Sequence, residues 1–290
     1  MIPSIDHIIL TRFNLPSAGV ESLIRAQDGW LRQRQELFEK YCLPSIQQQT
    51  CKDFTWVIYF DPHSPQWLKE RIMQINQEEW FIPVFRESVS PKELLDDLRA
   101  TGAGSREILL TTNLDNDDGL SLDFVQRVQD AVVGRNTTAL YIGRGLIQHE
   151  QRLYLRDDPV NAFCSVAAPW DDPKTCWLDW HNKLAEHMPI VNIPGKPGWL
   201  QVIHGSNVSN RVRGRRVGPE KYSRDFASGV QEAIAPRGWE WAEEQFLLRP
   251  SRALKEAVRR GVKNVIIALG GRSLLGRVRE GAEKYASLRR

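Results

Sequence analysis

The first half of the chain switches repeatedly between two hydrophobic periods. Residues 6–13 (DHIILTRF) form a short apolar run with β-branched members, the pattern of a buried strand. A polar loop with Pro16 and Gly19 leads to a helical pattern over 30–48. Residues 54–60 (FTWVIYF) are almost wholly apolar or aromatic, as expected of a strand central in its sheet. Ser64–Pro65 offers an N-cap and a first-turn proline for a helix to about residue 75. A third strand is expected at 81–85, and Ser90–Pro91–Lys92–Glu93 spells a capping box that opens a helix stopping at Gly102. Residues 106–114 read as a fourth strand, and Ser121 as the cap of a helix with Phe124, Val128 and Val132 on one face.

Four strands interleaved with helices imply an α/β fold whose sheet is mostly parallel and covered by helices on both sides. Ligands of such sheets bind beyond the carboxyl ends of the strands, which directs attention to the residues just after each one. The second half is less regular. Residues 139–147 and 152–155 suggest a hairpin turning at 149–151, residues 168–180 are rich in Trp and Asp, and 199–203 form a further short strand leading into His204. From about residue 218 the pattern is helical.

Composition changes this picture little until charge is located. The 290 residues are 41% apolar and 26% charged, ordinary for a globular protein. Four cysteines without CxxC spacing read as reduced thiols of a cytoplasmic protein rather than a zinc site. The N-terminus has no basic region before its short apolar run, so it is read as a strand rather than a signal peptide. The net charge of +3, however, is unevenly spread: residues 251–290 hold 11 Lys/Arg against 3 Asp/Glu, which makes that segment +8 and leaves −5 for the rest. Leu254, Val258, Val262, Val265, Ile266 and Leu269 fall at helical spacing among those bases, with Ser251 as a cap. Such a basic amphipathic helix suits an anionic membrane surface, not nucleic acid; the other reading is a helix packed on the body with a solvated basic face.

The chemistry concentrates at 111–119 (TTNLDNDDG), where an apolar strand runs straight into Asp115, Asp117 and Asp118. If the strand continued, Asp115 and Asp117 would point the same way. Two converging carboxylates at a strand end suit a hard divalent ion, Mg²⁺ or Mn²⁺, together with substrate phosphates. A plain turn that caps the next helix would use the same residue types.

These segments carry a family resemblance. HIILTRFN at 7–14, LFEKYCLPSIQQQT at 37–50, FTWVIYFD at 54–61 and TTNLDNDDGL at 111–120 resemble a bacterial family named for rhamnosyl transfer, and the strand-end DxDD resembles the DxD motif of GT-A glycosyltransferases. The likeness covers roughly residues 6–210 and is patchy after 135. It implies a Rossmann-like GT-A catalytic domain over 1–217, with a nucleotide-sugar half to about 135 and an acceptor half beyond it, followed by a basic helical extension over 218–290. It implies a nucleotide-diphosphate sugar donor and a glycan or lipid-linked acceptor. Arg12, Phe13 and Asp61 would hold the nucleotide, Asp115 the ribose or a metal-bound water, and Asp117 the metal, while Asp118 would face the sugar or support Asp117. His204 would be a further metal ligand.

Transfer of a sugar leaves negative charge on the departing diphosphate and requires the acceptor hydroxyl to lose a proton, so an inverting enzyme needs a carboxylate base. Asp171 and Asp172 are the candidates, with Asp179 in WLDWH a neighbouring one; on this reading Asp172→Asn abolishes transfer while donor binding survives. Tryptophans beside those acids suit the apolar faces of sugars. Two other classes remain open at this point. A metal-dependent phosphohydrolase would use the same acids to activate water, although the six histidines form no HxH or HD pattern. A non-catalytic binding module recruited to membranes by its tail would need no metal.

Overall fold

The computed structural model describes residues 3–16, 28–204, 212–248 and 250–252. The chain divides into two compact units, Met1–Ala235 and Pro236–Arg290. Strands of the first unit are β1 (Ile5–Arg12), β2 (Thr55–Phe60), β3 (Ile82–Phe85), β4 (Ile108–Asn113), β5 (Gly119–Leu120) and β6 (Thr138–Ile142). They continue with β7 (Arg144–His149), β8 (Arg152–Asp157), β9 (Ser165–Pro169), β10 (Ile190–Ile193), β11 (Trp199–Ile203) and β12 (Arg215–Val217). The four strands expected from periodicity are β1 to β4; β1 is offset by one residue toward the N-terminus, and the other three are shorter than their apolar runs by a residue or more.

A seven-stranded sheet has the order β10-β6-β9-β4-β1-β2-β3. β1 lies parallel to both β2 and β4, pairing Leu10 with Val57 and Ile8 with Thr111. From β1 the chain winds outward to β2 and β3, then returns to the other side of β1 with β4, so the order reverses between β1 and β4. The sheet is mixed rather than uniformly wound: β9 runs antiparallel to β4 and β6. Ile8, Ile9, Leu10 and the facing Val57, Ile58, Leu109 and Leu110 are fully buried, with apolar clusters on both faces.

The helices follow the sequence with instructive departures. The expected helix over 30–48 is Asp28–Leu37, a π-helical turn Phe38–Cys42, and Leu43–Gln47. Pro44 lacks the N–H that an uninterrupted α-helix would use, and the wider turn just before it absorbs the fault. The capping box forms as read, with Glu93 N donating to Ser90 Oγ (3.3 Å) and Ser90 N to Glu93 Oε2 (2.8 Å). Ser64 does not cap the helix Gln66–Ile75; its hydroxyl donates to the Asp61 carbonyl and accepts from Asn14. Nor does Ser121 cap the helix Phe124–Asp130, whose N-cap is Asp123; Ser121 donates to that carboxylate instead.

The second sheet, β12-β8-β7-β11-β5, is built on the β7–β8 hairpin, which turns at Glu150 with φ of 54°. Residues 138–142 do not belong to that hairpin: they form β6 of the large sheet. Residues 218–235, read from sequence as the start of a helical extension, are mostly turns here. Tyr222, Phe226, Val230 and Ala233 close a third apolar cluster with Leu146, Leu153, Leu200 and Val202, so they belong with the first unit and the division falls after Ala235 rather than at 217. The second unit contains the helix Gly238–Glu243 and a π-helical turn Glu244–Leu248. The basic helix expected after Ser251 lies, from 253 on, outside the described residues. Among those described, no helix is long and apolar enough to cross a membrane.

Candidate active site

At the carboxyl end of β4, Leu114 N donates to the Leu10 carbonyl (3.0 Å), which carries the β1–β4 pairing one residue past the strand. The chain then turns, with Asp118 N bonded to the Asp115 carbonyl (3.3 Å), and enters β5 of the other sheet. The three acids therefore sit on a turn where the two sheets meet, and strand alternation does not govern them. Asp115 is exposed, whereas Asp117 and Asp118 are buried.

Burial separates their chemistry. Asp118 accepts a hydrogen bond from Val202 N (2.8 Å), which ties β11 to the turn. Burial first, then Asp117 and Asp115, push its carboxyl well above the usual range, and Asp118 is not part of the lining of the adjoining cleft. Burial alone would also raise Asp117, but His204 and Arg34 hold it below its ordinary value. His204 Nε2 lies 2.9 Å from Asp117 Oδ2, and the Arg34 guanidinium forms an ion pair with that same oxygen. Between the acids, Asn116 donates to the Phe13 carbonyl (2.7 Å) and accepts from Arg34 (3.3 Å). Asp115 is raised by desolvation and by Asp117, although its side chain opens to the cleft.

That cleft, about 610 Å³, is lined on one side by Arg12, Asn113 and Asp115, and on the other by Arg156, Asp158, Trp177, Asp179, His181 and Trp199. Arg12 lies over the Trp177 ring at 4.0 Å, a cation–π contact. Trp177 Nε1 donates to Asn113 Oδ1 (2.8 Å), and Asn113 in turn reaches Asp115 (3.4 Å). A single line of contacts thus joins the end of β1, the far wall and the first acid.

The remaining expected residues are distributed differently. Phe13 is 3% exposed and packs edge-on against Phe38 and obliquely against Phe60, so its ring is core and cannot contact a nucleotide; only its carbonyl serves the site. Asp61, at the end of β2, folds back to accept from His63 N (2.8 Å) and is not part of the cleft lining. Asp171 and Asp172 are at the wrong end of the sheet. Because β9 is reversed, Pro169 stands beside Ile108 at the start of β4, and Ser165 beside Thr112 near its end. The six residues of β4 span roughly 20 Å. Asp171 instead pairs with Arg135 (3.4 Å) and Asp172 with Lys174 (3.0 Å), both exposed. Neither can act as base at the Asp115–Asp118 turn. Asp179, by contrast, does line the cleft; its bond from His187, then from Trp180 N, holds its carboxyl below the usual range.

Arg34, Asn113 and Asp158 were not foreseen. Arg34 is one base among several in a polar helix, and Asn113 looks like the end of an apolar strand; only the folded chain brings them to the acids. Among the described residues, no three His, Cys, Asp or Glu side chains form a complete metal ligand set. Asp117 and His204 are placed closely enough to share an ion. Their 2.9 Å separation is that of neighbouring ligands on an octahedral ion with bonds of about 2.1 Å. Mg²⁺-type sites commonly take one or two protein carboxylates and complete the shell with water and phosphate, so the residues fit such an ion.

A family model described as "Putative rhamnosyl transferase" matches residues 6–216. No curated protein matches the chain. Solved structures with some likeness include a "putative nucleotide-diphospho-sugar transferase from Desulfovibrio desulfuricans G20" (8% identity, TM-score 0.35, covering 67% of this chain and 81% of that one). The inositol-1-phosphate CTP transferase from T. maritima gives 9% identity and a TM-score of 0.37, covering 72% and 94%. GalNAc-T7, solved with UDP, GalNAc and Mn²⁺, gives 11% and 0.37, covering 70% and 45%.

Proposed function

The chain belongs to the "Putative rhamnosyl transferase" family, and from that premise we propose that it is a GT-A glycosyltransferase moving a sugar, rhamnose being the family's label, from a nucleotide diphosphate to a glycan or lipid-linked acceptor. The observation that carries this reading is the pairing of an ionised Asp117 with His204, beside the cleft that Asp115 lines, at the carboxyl ends of β1 and β4.

Each group has a part in that chemistry. Arg12, braced on Trp177, supplies a fixed positive charge for the donor phosphates. Asp115 points into the cleft and is assigned to the donor ribose, with Asp61 beyond the end of β2 assigned to the base. Asp117 and His204 would hold Mn²⁺ or Mg²⁺, which when bound stabilises the charge gathering on the departing diphosphate. Asp158 and Asp179 are the carboxylates on the far wall, and one of them takes the proton of the acceptor hydroxyl. Trp177 and Trp180 offer ring faces to sugars. Residues 251–290, at +8, are assigned to an anionic membrane surface where a lipid-linked acceptor would be met.

The test is thermal melting with a panel of nucleoside diphosphates and sugar nucleotides, with and without Mn²⁺. A ligand at 100 times its dissociation constant adds about 2.7 kcal/mol. A metal-dependent shift with one nucleotide, lost in Asp117→Ala, and transfer from its sugar conjugate are the expected results. A panel without any shift refutes the proposal.

A further inference from the structure

Arg34 is one of the three residues of this site that no expectation covers. It projects from the helix Asp28–Leu37, with its guanidinium 4.9 Å from the Trp30 ring. Its side chain is only 12% exposed, less than a free arginine tolerates without a partner. The partner is Asp117, through the same Oδ2 that faces His204. Nη1 also reaches Asn116 Oδ1 at 3.3 Å. Nε, however, is buried with no hydrogen-bond partner. A buried donor without an acceptor is a cost that an incoming acceptor relieves.

This arrangement is in tension with a resting metal site. A divalent ion on Asp117 and His204 would meet a guanidinium already on the shared oxygen. Two cations within contact distance repel strongly in a site this buried. The conflict disappears if an anion joins them. A diphosphate oxygen can be shared between a metal ion and a guanidinium, and a fork of N–H donors matches it. It would also give Nε the acceptor it lacks.

We propose that Arg34 competes with the divalent ion for Asp117 in the empty enzyme and passes to the donor diphosphate when the nucleotide binds. Metal and nucleotide binding are then mutually dependent: the ion alone binds weakly because Arg34 opposes it, and the diphosphate removes the opposition. The proposal rests on the donor site assigned above and adds to it a second, protein-borne cation and an order of events.

The test separates the two ligands. Mn²⁺ affinity without nucleotide is measured by the electron paramagnetic resonance signal of free Mn²⁺. Nucleoside diphosphate affinity at saturating Mn²⁺ is measured by calorimetry. Arg34→Met should bind Mn²⁺ alone about tenfold or more tightly than the wild type, and the diphosphate about tenfold or more weakly. Arg32→Met, two residues away and exposed, should change neither. A merely structural arginine would not tighten metal binding when removed. If Arg34→Met fails to fold, Arg34→Gln, which keeps a donor toward Asn116, carries the same measurements. Unchanged or weaker Mn²⁺ binding overturns the competition, and unchanged diphosphate affinity overturns the transfer to phosphate. Diphosphate binding by the wild type with no Mn²⁺ taken up even at saturating diphosphate sinks the metal assignment and the competition together. Absence of both ligands from the wild type refutes the donor site itself.

Discussion

Gly145 allows a sharp test of how the cleft is built. It lies on β7, opposite Arg156 of β8, and the Trp199 indole rests directly on its Cα. A Cβ added there would fall within the ring, against Cδ2, Cε2 and Cε3, closer than real Cβ contacts occur. The ring must therefore retreat by roughly an ångström or more to regain normal contact. It has little freedom to do so. Trp199 is 2% exposed, stacks on Phe163 with centroids 5.0 Å apart, and donates from Nε1 to the Ile142 carbonyl at 2.9 Å. Overpacking of this kind costs about 1–3 kcal/mol, and loosening the stack adds about 0.5–1.5 kcal/mol. The indole N–H left without its acceptor adds about 1 kcal/mol more, while the carbonyl keeps its bond from Asn161 Nδ2. Gly145→Ala should lose about 4 kcal/mol in all, which lowers the melting temperature by about 8–16 °C for a unit of this size. Because Trp199 lines the cleft, the nucleotide-induced shift should shrink as well. Gly29→Ala is the control: nothing lies within 4 Å of a Cβ at that exposed helical position, and its effect should stay within about 0.5 kcal/mol. Calorimetry of both variants decides. A Gly145→Ala protein melting within about 2 °C of the wild type would show that the indole yields freely and that the packing argument fails.

Other outcomes follow from single contacts. Asp171→Asn and Asp172→Asn, at the far end of β4, should leave transfer rates within a factor of about two; a large loss in either would contradict the reversed placement of β9. Asn113→Ala removes the acceptor of Trp177 Nε1 and should weaken nucleotide binding by about 1 kcal/mol in a calorimetric titration, with the fold retained by circular dichroism. The pH dependence of stability should carry the mark of His7. Burial holds it at about 3 against an ordinary 6.5, with Asp53 pulling the other way. The unfolded chain takes up this proton below pH 6.5 and the native one only near 3, so the stabilisation is complete above 6.5 and declines as pH falls. At pH 5 the loss is about 2 kcal/mol. Urea midpoints that stay flat from pH 7 to 5, or a slope unchanged in His7→Gln, would refute this assignment.

The sequence revealed local features better than long-range ones. β1, β2 and β4 were legible because each is an apolar run buried on both faces, and the Ser90–Glu93 box because its bonds span only three residues. The DxDD turn stood out because charge directly abuts an apolar strand. Partners such as Arg34 for Asp117, 83 residues apart in the chain, and Val202 N for Asp118, 84 apart, leave no local trace. The direction of β9 was equally hidden, since SVAAP reads the same whichever way the strand runs. That one unknown separated Asp171 and Asp172, on the wrong edge, from Asp179, on the right one, although all three share a Trp-rich stretch. Phe13 was misplaced for a simpler reason: a strand-end position says which edge a residue reaches, but not whether its ring turns inward.

The reversal of β9 has a consequence for how such a protein can diversify. The chain leaves the cleft at Asn161–Cys164, travels along β4 to Pro169, and returns by Cys176, whose N–H is anchored to Thr111 Oγ1 at 2.8 Å. Both flanks of this excursion furnish one wall of the cleft, while its bend at 170–174 lies on the opposite edge of the sheet. Apart from Trp170, which donates to Asp6 (2.8 Å), length and composition at that bend are therefore open to drift, since insertions there leave the wall where it is. Selection for a new acceptor would instead be confined to the two returning flanks. Relatives that differ in acceptor should differ at 156–163 and 177–181, and relatives that differ only in the bend should share one.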